Sequence, residues 1–244
     1  MTLYLADASA VEYWRRADPS AKTRARAATP FGQDRETPPF SASDLAALEE
    51  AGVGWLSEPI HLLVPDASSR RRCKRTKLHV CSHRLPERSF VKLSRRVMVA
   101  SPELTCLSIA PSTPFPLLVE FLYELCGRYR LPDGRGGDAV ELPPATTVAG
   151  IERFADKARG VRGAADVKRA LRYACDNSLS PMETDIAETM VFDPRMGGLG
   201  LEKPQLNPRF EVTRKNRRAL PQSAYLPDLF WPRASISVEY DSDK

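Results

Sequence analysis

A change in sequence period between residues 59 and 127 constrains the fold of this chain most strongly. The segments PIHLLVP, KLHVCS and SFVKLSRRVMVA are rich in apolar and β-branched residues and indicate strands. A helix is predicted to begin at Pro102 with Ser101 as its cap, and PFPLLVEFLYELCGRYRLP predicts a second helix that ends at Gly127. Together these elements predict an α+β unit.

Changes in composition divide the chain of 244 residues into four predicted segments. The first begins with a short helix, about Ala6 to Arg16, and continues into a stretch rich in Pro, Ser and charge that is typical of a linker. The second begins with a helix in SASDLAALEEAG, for which Ser43 is the predicted N-cap. Glycines and prolines mark a boundary at 131–147. The predicted segments are 1–40, an α+β unit at 41–132, a linker with helices at 133–178, and a helix followed by three short strands at 179–244.

Composition also argues against several classes of protein. No apolar run approaches the roughly 20 residues of a membrane span, and basic residues follow the first apolar stretch, unlike in a signal peptide. Five cysteines at irregular spacing are typical of reduced thiols. We therefore expect a cytoplasmic protein without a membrane partner. Cys73, His79, Cys81 and His83 lie close in sequence, but their spacing matches no common zinc motif.

Positive charge is concentrated between residues 61 and 100, where eleven Lys or Arg face two acids. In the densest part, RRRCKRTK, six of eight residues are basic. Such a run attracts polyanions because binding releases counterions, although it is also typical of a solvated loop. DNA is thus a candidate partner, and the residues predicted to contact it are Arg70, Arg71, Arg72, Lys74, Arg75 and Lys77.

Asp228, Glu239 and Asp241 are carboxylates near the end of the sequence that can share one face of a hairpin. If PRAS (232–235) is a four-residue hairpin loop, Trp231 pairs with Ile236, and Asp228 then lies directly opposite Glu239. Asp241 would project to the same face. Opposed like charges are destabilising unless a cation lies between them, and oxygen ligands suit Mg²⁺. The alternative is a solvent-facing hairpin whose acids are simply hydrated.

The other face of the last strand carries Ile236, Val238 and Tyr240, which predicts a surface that packs on the core. Upstream, the segment SPMET contains a further acid, Glu183. With Ser180 as N-cap, Glu183 occupies the third helical position of a capping box, and this explains the residue without any chemistry.

The chain has a glutamate on a predicted helix, then Pro227-Asp228, then Glu239 with an acid two residues later. In this order these motifs resemble the PD-(D/E)xK nuclease superfamily, most closely its very-short-patch-repair (Vsr) branch. The resemblance covers about 179–244 and implies a restriction-endonuclease-like α/β core. It implies that Asp228 and Glu239 bind Mg²⁺ or Mn²⁺, and that Glu183 assists through the metal or its water. Asp241 stands where many members of the superfamily have lysine; the Vsr-like branch shares this departure and commonly has an acid there. By this resemblance Asp241 would belong to the catalytic set.

The Vsr-like branch also uses a histidine further along the chain, followed by another strand and helix. This sequence has no histidine after His83 and ends at Lys244, so the resemblance implies an incomplete core.

The middle of the chain is similar to a different group of bacterial proteins. PIHLLVP, LHVCSHRLP, VMVASPELTCLSIA and ELCGRYRLP, within about 59–132, resemble the C-terminal region of AbiE-type antitoxins. This resemblance implies a regulatory or DNA-contacting role. The sequence thus predicts a metal-dependent DNA endonuclease or a nuclease-derived protein. The alternatives are a DNA-binding antitoxin-type regulator with an inactive nuclease remnant and a plain protein-interaction module, and the oligomeric state is left open.

Overall fold

The computed structural model describes residues 2–18, 31, 40–66, 73–134, 136–212 and 223–241. They form an α+β protein, which confirms the predicted fold class. The helices are α1 (Asp7–Arg16), α2 (Ala42–Glu50), α3 (Pro102–Ile109), α4 (Phe115–Cys126), α5 (Val148–Lys157), α6 (Ala164–Ala170) and α7 (Pro181–Val191). The strands are β1 (Leu3–Leu5), β2 (Ile60–Val64), β3 (Thr76–Val80), β4 (Phe90–Lys92), β5 (Val97–Ala100), β6 (Tyr129–Arg130), β7 (Val140–Glu141), β8 (Gln205–Leu206), β9 (Phe210–Glu211), β10 (Ala224–Tyr225), β11 (Leu229–Trp231) and β12 (Ile236–Val238).

A mixed five-stranded sheet in the order β3-β2-β1-β5-β4 forms the centre of the molecule. Strand β1 is its middle strand and pairs antiparallel with β2 and parallel with β5. The outer pairs are β2 with β3, which run parallel, and β5 with β4, which run antiparallel. The sequence did not predict β1, because a strand of three residues is too short to show a period.

One buried cluster of apolar side chains extends from Leu3 to Trp231 and crosses the predicted boundaries near residues 40, 132 and 178. Helix α1 packs on β2 and α3, and the indole nitrogen of Trp14 donates to the carbonyl oxygen of Ala100 at 2.9 Å. The first residues of the chain are therefore part of the core. Among the described residues, no helix is long and apolar enough to cross a membrane.

Helix ends follow local capping chemistry. The predicted cap of α3 is confirmed, since Ser101 Oγ accepts from the amide of Leu104 at 3.2 Å. The predicted cap of α2 was wrong by two residues: Ser41 is the N-cap, because its amide donates to the Asp44 carboxylate at 2.9 Å. Asp44 is buried and also accepts from Arg96 at 2.6 Å, which links α2 to the sheet.

The last strands form an antiparallel arrangement in which β8 and β12 flank β11. Trp231 pairs with Ile236 and Leu229 with Val238, so the predicted hairpin around PRAS is confirmed. Of the three residues predicted to pack on the core, only Val238 does so, and it is partly buried. The prediction was wrong for Ile236 and Tyr240, which are 55% and 39% exposed on the edge strand β12 and just beyond it.

Two buried charges lie at the end of α4. Glu124, with only 1% of its side chain exposed, accepts hydrogen bonds from Arg15 Nε and Nη2 and one from the amide of Leu131 at 3.0 Å. The guanidinium of Arg130 donates to main-chain carbonyls, including those of Glu124 and Pro143, and burial lowers its pKa. These contacts satisfy carbonyl groups that the end of a helix would leave without partners.

We predict that Glu124→Ala lowers the free energy of unfolding by about 3 kcal/mol, because it leaves Arg15 and a buried amide without their acceptor. Urea denaturation of the purified chain measures this change. Glu141→Ala is the matched control: its carboxylate is 80% exposed in a surface pair with Arg128, so the loss should stay below about 1 kcal/mol. Equal losses in the two variants would contradict the buried-pair explanation.

Candidate functional site

Asp228 directly precedes β11 and has a neighbouring segment of chain on each side. The pairs β8–β11 and β9–β10 share one register, and extending this register by one residue from β11 places Asn207 opposite Asp228. The amide of Asn207 donates to the carbonyl oxygen of Asp228 at 3.0 Å, which supports this placement. On the other side, the register of β11 with β12 places Glu239 opposite Asp228, as the sequence predicted.

Glu183 is connected to the same row through Asn207. The predicted N-cap of α7 is confirmed, since Ser180 Oγ accepts from the Glu183 amide at 3.2 Å. The return bond of the predicted capping box is displaced by one residue: the Glu183 carboxylate accepts from Ser180 Oγ and from the amide of Leu179 rather than from that of Ser180. In addition, Asn207 Nδ2 donates to Glu183 Oε2 at 2.7 Å. Asn207 has a φ of +49°, a left-handed conformation that asparagine tolerates better than most residues. One asparagine thus joins the helix acid to the strand that carries Asp228.

The terminal carboxylates already have partners within the protein. Asp228 Oδ2 accepts from the amide of Tyr240 at 2.7 Å, and Glu239 Oε1 accepts from the hydroxyl of Tyr225. This hydrogen bond to Glu239 raises the pKa of Tyr225. Asp241 is exposed. Among the described residues, the predicted acid set does not form a group of three carboxylates with ligand oxygens within 4.8 Å of one another. The strand register thus places Asp228 and Glu239 opposite each other, but the three predicted acids do not converge as a ready metal-binding group.

Those predicted DNA-contacting residues that the structure describes lie at one edge of the central sheet. Arg70, Arg71 and Arg72 lie outside the described residues. Lys74, Arg75 and Lys77 are exposed at the start of the edge strand β3. Arg75 pairs with Glu58, and their mutual hydrogen bond raises the pKa of the guanidinium and lowers that of the carboxyl. This edge therefore presents exposed positive charge, part of it paired.

A second cluster, which the sequence analysis missed, consists of Asp7, His61 and His79, and we call it the histidine cluster. His61 Nδ1 lies 2.9 Å from Asp7 Oδ1 and 3.1 Å from His79 Nε2, and His79 Nδ1 lies 3.7 Å from Asp7 Oδ2. One ligand atom from each side chain lies within 4.8 Å of the other two, which makes the cluster a candidate metal centre. The side chains of Asp7, His61 and His79 are 14%, 11% and 25% exposed.

The central sheet brings these three residues together. Leu63 pairs with His79 in the parallel register of β2 and β3, and His61 precedes Leu63 by two residues, so both rings lie on one face. The two ring centroids are 5.0 Å apart. Asp7 reaches the rings because it directly follows β1, where it has a φ of +50°. The main chain of His61 is fixed there as well, since its amide donates to Ser9 Oγ and its carbonyl accepts from Ala6.

Electrostatics keep Asp7 ionised. Burial by itself raises the pKa of this carboxyl, but the hydrogen bond with His61 and the charge of His79 outweigh burial and hold the pKa below its usual value. The remaining histidine, His83, is separate from the cluster: its carbonyl oxygen accepts from Cys81 Sγ at 3.8 Å. The set of Cys73, His79, Cys81 and His83 is thus not a metal group among the described residues, because His79 belongs to the histidine cluster.

Two clefts adjoin these sites. A cleft of about 750 Å³ runs between α1 and α4, and Asp7 is one of its lining residues. Its walls carry acidic and basic side chains, among them Glu12, Arg15 and Asp133. A smaller cleft of about 480 Å³ borders Asn207 and includes Lys203 and Arg209. Each cleft is large enough for a small ligand and touches one residue of a candidate site, Asp7 in the larger cleft and Asn207 in the smaller.

Because the folded-state pKa of Asp7 is depressed, the stability it contributes should be fully present above its usual pKa of 3.8 and lost as pH falls through the folded value. We predict that Asp7→Asn is less stable than the unmodified chain at pH 6, and that the difference shrinks toward pH 3. Thermal melts across this range measure it. Asp138→Asn, at an exposed position, is the control, and a pH-independent difference for Asp7→Asn would contradict the electrostatic explanation.

Known proteins supply no further assignment for either site. Comparison of the chain with protein-family models, with curated proteins and with solved structures gave no match.

Proposed function

We propose that this chain is a nuclease-type DNA-binding protein in which Asp228 and Glu239 hold Mg²⁺ or Mn²⁺ for phosphodiester hydrolysis. One observation carries the proposal: a continuous register across three strands aligns Asn207, Asp228 and Glu239, and Asn207 joins this row to Glu183. A helix acid beside two opposed strand acids is the arrangement that the resemblance to PD-(D/E)xK nucleases implies.

The chemistry of the donors fits a hard cation. Asp228 and Glu239 provide only oxygen ligands, which Mg²⁺ and Mn²⁺ prefer, and Glu239 is exposed to solvent that would complete the coordination. Bound there, such an ion would polarise a phosphate and lower the pKa of a water molecule. The amide of Tyr240 and the hydroxyl of Tyr225 orient the two carboxylates. Glu183, fixed by Asn207, would receive the proton of the attacking water.

The DNA backbone would be held by positive charge away from the acids. Lys77 is exposed on the edge strand β3, and Lys74 and Arg75 are exposed directly before it. Such contacts are electrostatic and independent of sequence. The five cysteines are free thiols, as expected for a protein of the cytoplasm, which is the compartment we propose.

The second candidate is an antitoxin-type DNA-binding regulator with an inactive nuclease remnant. It is favoured by the finding that Glu183, Asp228 and Glu239 each have a partner in the protein and do not converge as a three-carboxylate group. In that case the carboxylate row would only stabilise the hairpin. The two candidates share DNA binding and differ in cleavage.

We predict that the purified chain nicks plasmid DNA when Mg²⁺ or Mn²⁺ is present and that Asp228→Ala reduces the rate at least 100-fold, because it removes a metal ligand. Gel electrophoresis measures the rate. Asp138→Ala, an exposed acid outside the row, is the control and should cleave like the unmodified chain. Cleavage by Asp228→Ala at the control rate would exclude this site, and binding without any cleavage would select the regulator.

DNA affinity should fall steeply with salt, because each neutralised phosphate contributes a slope of about −0.9 in a plot of log K against log salt concentration. Neutralising the six residues of the basic run to Gln or Ser should flatten this slope by several units. Fluorescence anisotropy with a labelled duplex measures it. Unchanged affinity and slope in this variant would rule out the basic run as the DNA-contacting surface. A comparison variant neutralises Arg159, Arg162 and Lys168 in another region.

A further inference from the structure

We propose that Asp7, His61 and His79 bind one divalent transition-metal ion of the zinc class. This site is separate from the carboxylates at Asp228 and Glu239 and does not depend on the proposed nuclease function. It differs in chemistry as well, because its donors are two imidazoles and one carboxylate.

Two short contacts of the histidine cluster meet at a single ring nitrogen. His61 Nδ1 has two short polar contacts, 2.9 Å to Asp7 Oδ1 and 3.1 Å to His79 Nε2. A ring nitrogen carries either one proton or one lone pair in its plane, so it donates to the carboxylate or accepts from the other ring. The two contacts therefore compete for one position on His61 Nδ1. A cation between the three groups satisfies both, because each side chain then acts as a ligand.

The spacing of the ligand atoms fits a small coordination sphere. A tetrahedral zinc site with bonds of about 2.0 to 2.1 Å places its ligand atoms about 3.3 to 3.4 Å apart. The two contacts of His61 Nδ1, 2.9 Å to Asp7 Oδ1 and 3.1 Å to His79 Nε2, are slightly shorter than this value, and one ligand atom from each side chain lies within 4.8 Å of the other two. Small rotations of the side chains would bring the three ligand atoms to the spacing of a bound ion.

The donor set selects the class of metal. Neutral imidazole suits zinc, iron, copper and nickel, whereas Mg²⁺ prefers oxygen ligands and retains its water. Three protein ligands also leave one tetrahedral position open, as in catalytic rather than structural zinc sites. Asp7 borders the cleft of about 750 Å³ between α1 and α4, so water or a small donor ligand has a route to this side of the cluster.

The surrounding main chain holds two of the ligands in place before any metal binds. The amide of Ala8 donates to Asp7 Oδ1 at 3.0 Å, and His61 is fixed at both its amide and its carbonyl. Such outer contacts orient ligand side chains in metal sites. Since the three ligands come from the start of α1, from β2 and from the edge strand β3, a bound ion would also connect these elements.

The test is metal loading of the full chain after removal of metals with a chelator. We predict that equilibrium dialysis followed by elemental mass spectrometry finds one Zn²⁺ per chain. Co²⁺ should give visible absorption bands without a sulfur charge-transfer band, because no thiolate is a ligand. His79→Gln, the most exposed of the three ligand positions, should weaken Zn²⁺ binding at least tenfold, and His83→Gln, the remaining histidine, should leave it unchanged.

Circular dichroism and melting of the metal-free variants separate loss of a ligand from loss of the fold. If His79→Gln unfolds, Asp7→Asn, which preserves the shape of the side chain, supplies the same comparison. Substoichiometric zinc, or equal zinc binding by the His79→Gln and His83→Gln variants, would overturn the proposal. So would loss of zinc in a Cys73→Ser, Cys81→Ser variant. Asp228→Ala should keep its zinc, which distinguishes failure of this site from failure of the proposed nuclease site.

Discussion

The pairing of β1 with two neighbours is the constraint on which the rest of the structure depends. Its three residues form the middle of the five-stranded sheet, so the pairs of β2 with β3 and of β5 with β4 are joined only through this strand. The same strand fixes the start of α1, whose Trp14 closes over the end of β5. Asp7 closely follows this strand and therefore lies beside the two histidines. Without β1, neither the core nor the histidine cluster could form as described.

A second alignment organises the end of the chain. Asn207 contacts both the main chain of Asp228 and the carboxylate of Glu183, and so couples α7 to the three-stranded sheet. Its amide is a donor to a buried acid, and an apolar residue at this position would leave that acid without one of its partners. The strand register places Asp228 opposite Glu239, and Asn207 lines a cleft that includes Lys203 and Arg209. This placement is the basis on which we propose the carboxylate row as a functional site.

Local rules predicted much of this structure, and long-range pairing accounts for most of the rest. Helix starts at Ser101 and Ser180 and the hairpin at PRAS follow from neighbouring residues, and the structure confirms them. The histidine cluster could not be found this way, because its members are brought together by a strand too short to show a period. A histidine in each of two adjacent predicted strands was the available signal. The exposure of Ile236 was missed because a period of two does not tell which face is covered.

The central claim is that one chain carries two metal sites of different ligand chemistry: imidazoles with one carboxylate at the sheet, and carboxylates alone at the terminal hairpin. Anomalous diffraction from crystals of the full chain soaked with Zn²⁺ and Mn²⁺ tests this most directly. The account predicts a zinc peak between Asp7, His61 and His79 and a manganese peak between Asp228 and Glu239. Peaks for both metals at a single position, or at neither of these places, would contradict it.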